Sequence, residues 1–358
     1  MSKIAIVGAG MMGTATSFPL SDNGHDIRLV GTHLDSEIIR SCQEKQVHPR
    51  LRRNLPIGVK PYYIDQIVEA LDGVEIIVSG VNSHGVHWIG QTLAPCLKPG
   101  QIIISVTKGL EAGPDGHLLL LTDVLANELP LSLREQVQMA AIGGPCIAGE
   151  LAGRRETVVI FGSASSECLD TLANAFRTPY YHIWKTNDIT GLEICVALKN
   201  AYTLAVGYAA GLLDKQGGLD CAGAHMYNLE AAAFAQGCME MEHLTRLMGG
   251  TSAFAYGPPG AGDFYVTAQG GRSVELGKLL GKGHTYQEAR LIMAGETLEA
   301  AAIVHQMGKA IPAMTVNGII SETDFPLMRY LVRLVVNNER LEIPLDTFYN
   351  YLNPIIRQ

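Results

Sequence analysis

The chain has 358 residues, 47% apolar and 17% charged, which is globular composition and length enough for two cores. A net charge of −8 argues against a nucleic-acid partner, whose phosphates need clustered Lys and Arg, but leaves room for a small anion in a locally basic pocket. No run reaches the ~18 apolar residues of a membrane span, and Met1-Ser2-Lys3 leads straight into an apolar strand without a secretory pattern, so a cytoplasmic protein is expected.

Short β-branched runs fill the first half. Lys3–Val7 reads as a buried strand, a helix follows from about Gly13 to Asn23, and Asp26–Val30 is the next strand. Val74–Ser79, Gln101–Val106, Val137–Ile142, Thr157–Phe161 and Tyr181–Trp184 continue the series. Strands separated by helical stretches imply crossover units and a mainly parallel sheet. After about Asn187 these runs stop. Gly191–Leu213 carries Ala197, Ala201, Ala205 and Ala209 as a stripe for close helix packing, and Met226–Met248 and Tyr286–Met307 also read as helices. Gly257-Pro258-Pro259-Gly260 reads as a turn between helices. The expected class is α/β, a Rossmann-type doubly wound sheet over residues 1–187 followed by an all-helical domain over 188–358. The long apolar helices suit a homodimer and equally suit the second core of a monomer. Phe325–Val336 and Leu345–Leu352 form a tail with no functional reading.

The seven cysteines, Cys42, Cys96, Cys146, Cys168, Cys195, Cys221 and Cys238, are scattered and form no Cys-x-x-Cys pair. Free thiols in a reducing compartment are expected, and nothing suggests a metal site.

Gly8-Ala9-Gly10-Met11-Met12-Gly13 follows a strand and opens a helix. In such a loop the first glycine permits the tight turn, the second lets backbone approach a pyrophosphate, and the third lets helix and strand pack closely. The helix start adds N–H groups, including those at Met11 and Met12, and a positive dipole end. At the end of the second strand an acid would hold the ribose of NAD, and an Arg would favour NADP. Here Thr32 and His33 occupy that place and Asp35 comes late, so NAD and NADP both stay open.

Three elements of the second half carry chemistry. Lys199-Asn200 lies in an apolar, small-residue helix; a lysine there is expected to be partly buried, and burial lowers the pKa of an amine. Asp263, in Gly260-Ala261-Gly262-Asp263-Phe264, is placed either to cap a helix or to pair with Lys199. Gly270-Gly271-Arg272-Ser273 joins flexible backbone to a guanidinium fork that suits phosphate. In the first half, Thr107-Lys108-Gly109 and Gly143-Gly144-Pro145-Cys146 each follow a strand at its carboxyl end, where open parallel sheets bind ligands.

Taken in order, GAGMMGTA, TKGLE, GGPCIAGE, DITGLEICVALKN, GAGDFYVT and GGRS resemble the NAD(P)-dependent glycerol-3-phosphate dehydrogenase family, from Lys3 to about Pro312. The resemblance implies interconversion of dihydroxyacetone phosphate and sn-glycerol 3-phosphate with NAD or NADP. It implies Lys199 as general acid and base, Asp263 as its partner, and Lys108 beside substrate and nicotinamide. Arg272 would clamp the phosphate and reach the cofactor, and Asn200 and Thr267 would be polar substrate positions. Gly144 and Ala148 would give backbone near substrate and cofactor.

Departures from the family pattern cluster around these places. Arg-Asn is Arg272-Ser273 here, and Gly-Pro-Ser/Thr-Phe is Gly144-Pro145-Cys146-Ile147. Val-Pro-Ser-His becomes Val81-Asn82-Ser83-His84, and a family Glu or Gln falls at Ile292 or Met293. The same chemistry on a larger polyol or keto-sugar phosphate is therefore a second expectation. A dehydrogenase of non-phosphorylated hydroxy acids, disfavoured by Lys108 and Arg272, and a non-catalytic dinucleotide-binding regulator, disfavoured by Lys199 and Asp263, complete the alternatives.

Overall fold

The structure is a computed structural model and describes residues 1–348. Of the expected tail, the positions after 348 lie outside the described residues.

Twelve strands occur among the described residues: β1 (Lys3–Val7), β2 (Asp26–Val30), β3 (Val47–His48), β4 (Arg53–Asn54), β5 (Val59–Tyr62), β6 (Ile76–Ser79), β7 (Ile102–Ser105), β8 (Leu110–Ala112), β9 (Leu118–Leu120), β10 (Gln138–Gly143), β11 (Thr157–Gly162) and β12 (Tyr181–Thr186). The helices are α1 (Met11–Asp22), α2 (Ser36–Lys45), α3 (Ile67–Ala70), α4 (Val86–Leu93), α5 (Leu121–Asn127), α6 (Leu131–Arg134), α7 (Ala148–Ala152), α8 (Ser166–Phe176), α9 (Ile189–Lys215), α10 (Tyr227–Leu247), α11 (Asp263–Ala268), α12 (Arg272–Gly281), α13 (Tyr286–Ile292), α14 (Glu299–Val316) and α15 (Pro326–Val335).

Contacts group the chain into two compact units, one of Met1–Lys108 and Leu121–Glu193, the other of Gly109–Leu120 and Ile194 onward. The boundary drawn near 187 rested on the end of the β-branched runs. By contacts, Asp188–Glu193 stays with the first unit and the β8–β9 hairpin goes to the second.

In the first unit eight strands form one sheet in the order β12-β11-β10-β7-β6-β1-β2-β5. All neighbours run parallel except β10 and β11. The central strands read as unbroken apolar runs because helices cover both faces, and Ile4, Ile6, Leu29, Val78 and Ile104 are fully buried. Val7 lies level with Val30 and with Ser79, and Ser79 with Ser105, so the carboxyl ends of β1, β2, β6 and β7 share one edge. Successive strands leave β1 in opposite directions, the switch point beside which open parallel sheets bind their ligands. Sequence reading misses β5, where Pro61 interrupts the pattern; an edge strand tolerates it because one side needs no ladder.

Among the described residues, the regular elements of the second unit are helices apart from the β8–β9 hairpin. Helix α9 is apolar and long enough to cross a membrane by composition, but 83% of its most apolar window is buried, as in a core helix. Asp188 starts it by accepting the Gly191 N–H at 2.8 Å. The alanines expected to pack closely are fully buried, yet the closest approach belongs to glycines. A Cβ on Gly207 or Gly211 of α9 would land on the carbonyl oxygen of Val274 or Lys278, and one on Gly277 or Gly281 of α12 would land on that of Leu204 or Tyr208. The two backbones therefore touch over two turns.

The single helix expected over Tyr286–Met307 is in fact α13 and α14, broken where Gly295 takes φ +88°. The tail segment Phe325–Val336 contains α15, whose Leu327, Met328, Leu331, Leu334 and Val335 form a buried stripe. Its first N–H groups are met by the buried Glu240, which accepts from Leu327 at 2.7 Å and Met328 at 2.9 Å as well as from Tyr202 and Gln236.

Candidate active site

The glycine loop begins where β1 ends. Gly8 has φ +111°, and a Cβ there would stand 2.6 Å from the Gly80 carbonyl carbon, so β6 and left-handed backbone both demand glycine. A Cβ on Gly13 would strike the Gly8 carbonyl oxygen. Gly10 differs. Nothing stands closer than 3.7 Å to its Cβ position, so the protein itself does not require glycine there. Gly10 precedes α1 without a side-chain cap, and Met11 and Met12 form the first turn, whose N–H groups have no intrahelical acceptor.

The expected ribose-side residue Thr32 is tied to Asp35, while His33 is turned away from it. The Thr32 hydroxyl donates to Asp35 Oδ2 at 2.8 Å, and Thr32 N and Ala9 N donate to the same oxygen at 2.9 and 3.2 Å. His33 is exposed and meets Trp88 edge-on, with ring centroids 5.2 Å apart. His48, absent from the sequence-based candidates, is buried, and its Nε2 lies 2.8 Å from the Ala9 carbonyl oxygen.

In the second unit the Lys199 ammonium lies 3.0 Å from Asp263 Oδ1 and 2.5 Å from Thr267 Oγ1. Thr267 gives its own proton to the Asp263 carbonyl oxygen at 2.7 Å, so an oxygen lone pair faces the ammonium. The Lys199 and Asp263 side chains are only 5% and 3% exposed. Pairing with Lys199 is thus what Asp263 does; it heads α11 without acting as its side-chain cap. Asn200 is buried next to Lys199 on α9.

Arg272 stands outside that hydrogen-bonded cluster. It is the first residue of α12, its side chain is 49% exposed, and its guanidinium is 3.8 Å from Glu296. Gly270 and Gly271 before it take φ +158° and +101°, and Ser273 after it is half-buried. Ile292 and Met293 end α13, and the acid of that loop is Glu296, a few residues further on. In the first unit Lys108 is half-buried beyond β7, and Gly144 follows β10 with φ +122°. Cys146 and Ala148, both partly buried, pack against the apolar core of that unit.

Residues 3–169 match the family described as NAD-dependent glycerol-3-phosphate dehydrogenase N-terminus, and residues 188–345 match its C-terminus. This chain belongs to the NAD-dependent glycerol-3-phosphate dehydrogenase family. Among its relatives, an NADP(+)-dependent glycerol-3-phosphate dehydrogenase of Archaeoglobus fulgidus is 36% identical over 286 residues, covering 80% of this chain and 82% of the relative. A glycerol-3-phosphate dehydrogenase [NAD(P)+] of Agathobacter rectalis is 27% identical over 96% of this chain and 98% of its own length. The crystal structure of glycerol-3-phosphate dehydrogenase from Coxiella burnetii has a TM-score of 0.79 and 26% identity, covering 100% of this chain and 99% of that one.

The loop fits the NAD(P) that the family uses. Glycine at position 10 leaves space that a Cβ would fill, and it stands before a helix start whose N–H groups suit phosphate. Sequence reading missed Glu193, Glu240, Glu296 and His48, and it left Asp35 without a role. Each has at least one partner distant in sequence, Thr122 for Glu193, Leu327 for Glu240, Arg272 for Glu296 and Ala9 for both His48 and Asp35, and no local spacing marks such a contact.

Proposed function

We propose that this chain catalyses the NAD(P)-dependent interconversion of dihydroxyacetone phosphate and sn-glycerol 3-phosphate in the cytoplasm, with Lys199 giving and taking the proton. The observation that carries this reading is the buried ammonium held by Asp263 and Thr267 in a family of dehydrogenases. Gly8, Gly10, Met11, Met12 and Gly13 would hold the pyrophosphate, with Thr32 and His33 on the adenosine side and Lys108, Ala148 and Arg272 as further contacts. The dinucleotide supplies or accepts the hydride. In reduction, the Lys199 ammonium stabilises charge developing on the carbonyl oxygen and then protonates it; in oxidation the neutral amine takes the hydroxyl proton. Asp263 keeps the ammonium in place and balances its charge, and Thr267 fixes its direction. Arg272 and Ser273 would hold the phosphate and Asn200 would face the substrate; Lys108, Gly144 and Cys146 would be the substrate-side groups of the first unit.

Two measurements test this. Lys199→Met should lower turnover by about 10²–10⁴-fold while dinucleotide binding persists; unchanged turnover overturns the assignment. Across a panel of keto-phosphates, kcat/KM should be highest for dihydroxyacetone phosphate; a larger keto-sugar phosphate in first place overturns the substrate.

A further inference from the structure

Ala9 lies between the first two glycines of the loop, and both of its backbone groups are held by side chains from outside the loop. Its N–H donates to Asp35 Oδ2 at 3.2 Å, and its carbonyl oxygen lies 2.8 Å from His48 Nε2. The direction of the second bond follows from the other ring nitrogen. His48 Nδ1 accepts the Leu51 N–H at 3.0 Å, so the ring proton sits on Nε2 and is donated to Ala9. Asp35 Oδ2 is further occupied by Thr32 N at 2.9 Å and the Thr32 hydroxyl at 2.8 Å. Three donors on one oxygen aim that carboxylate at the loop and the end of β2.

The geometry points to Asp35 and His48 as positioning residues that clamp Ala9 from both sides and so preset the pyrophosphate-binding loop, with Asp35 serving the loop instead of reading the adenosine ribose. This rests on NAD(P) binding at the glycine loop, as the family implies. The two roles make opposite demands on the cofactor. A pyrophosphate is common to NADH and NADPH, so loosening its cradle weakens both alike. An acid on the ribose hydroxyls favours NADH and repels the 2′-phosphate of NADPH, so removing it separates the two.

The experiment is equilibrium binding of NADH and of NADPH, followed by cofactor fluorescence, to wild type, Asp35→Ala, Asp35→Asn and His48→Phe. Asp35→Ala should weaken both dinucleotides by the same factor, roughly ten- to hundredfold, because the partly buried N–H groups of Ala9 and Thr32 lose a charged acceptor. Asp35→Asn should recover most of the loss, since an amide oxygen can accept from the same donors. His48→Phe should also weaken both in parallel. Weaker NADH binding with unchanged or tighter NADPH binding in Asp35→Ala overturns the proposal, as does wild-type affinity for both. Should Asp35→Ala lose its cooperative melt, His48→Phe decides by the same comparison, weakening both dinucleotides equally, and an Asp35→Asn variant that weakens NADH alone overturns the proposal. Failure of wild type to bind either dinucleotide would instead remove the dehydrogenase reading.

Discussion

Glu193 sits on α9 with 2% exposure, and burial pushes its carboxyl up to about 8, although Thr122 and the backbone of Leu121 and Thr122 donate to it and lower it in part. The charge of the neighbouring Asp123 raises it further. The folded state therefore holds this proton more tightly than the unfolded chain, whose carboxyl titrates at the ordinary 4.5. Its contribution is most favourable at low pH and is lost as pH rises from about 4.5 through about 8. Urea unfolding should show Glu193→Gln gaining on wild type across that window, reaching roughly 1–3 kcal/mol at pH 9; identical pH dependence would contradict it. At the glycine loop, Gly8→Ala should cost both fold stability and cofactor binding, because φ and the Gly80 contact forbid a Cβ. Gly10→Ala should keep the melting temperature and lose dinucleotide affinity, since only a ligand competes for that space. Asp263→Asn leaves a buried ammonium without its counter-charge, and a loss of roughly 3–5 kcal/mol of stability is expected by chemical denaturation.

Among the elements, the α9–α12 seam connects packing with chemistry. Lys199 lies two turns before Gly207 on α9, and Arg272 begins α12 just before Gly277, so the seam sets how far apart the backbones of Lys199 and Arg272 are held. Gly277→Ala should push the helices apart and reduce kcat/KM together with stability; a variant with wild-type values for both would show that the seam yields freely. Much of this level was legible in the sequence. Lys3–Val7 was readable to the residue because a strand buried on both faces is almost continuously apolar, and Asp26–Val30 because its apolar positions Ile27, Leu29 and Val30 follow the turn at Gly24. Val59–Tyr62 was not, since an edge strand with a proline lacks that pattern. The break between α13 and α14 was hidden because helical periodicity continues across Gly295. The Lys199–Asp263 pair was legible by residue type and surroundings, an apolar, small-residue helix for Lys199 and a glycine-rich loop for Asp263. Glu296 and His48 were not, because their partners, Arg272 and Ala9, lie 24 and 39 positions away.

For the whole molecule, chain connectivity matters more than a single boundary. The chain passes between units at Lys108–Gly109, Leu120–Leu121 and Glu193–Ile194. Cutting at residue 187 would strand the hairpin, whose Ala112 N–H donates to Gln306 at 3.0 Å, and would remove Glu193 from Thr122. A fragment of residues 1–187 should therefore lack a cooperative thermal transition by circular dichroism; a sharp melt would show that the first unit is self-sufficient. Within the intact chain, the glycine seam also restricts how this enzyme can diversify. Where hydrogen atoms alone separate two main chains, there is no methylene to add or trim. Ordinary side-chain exchange there cannot widen the distance between the backbones that carry Lys199 and Arg272; change is left to the segment before α12, where Gly270 and Gly271 have open space around them.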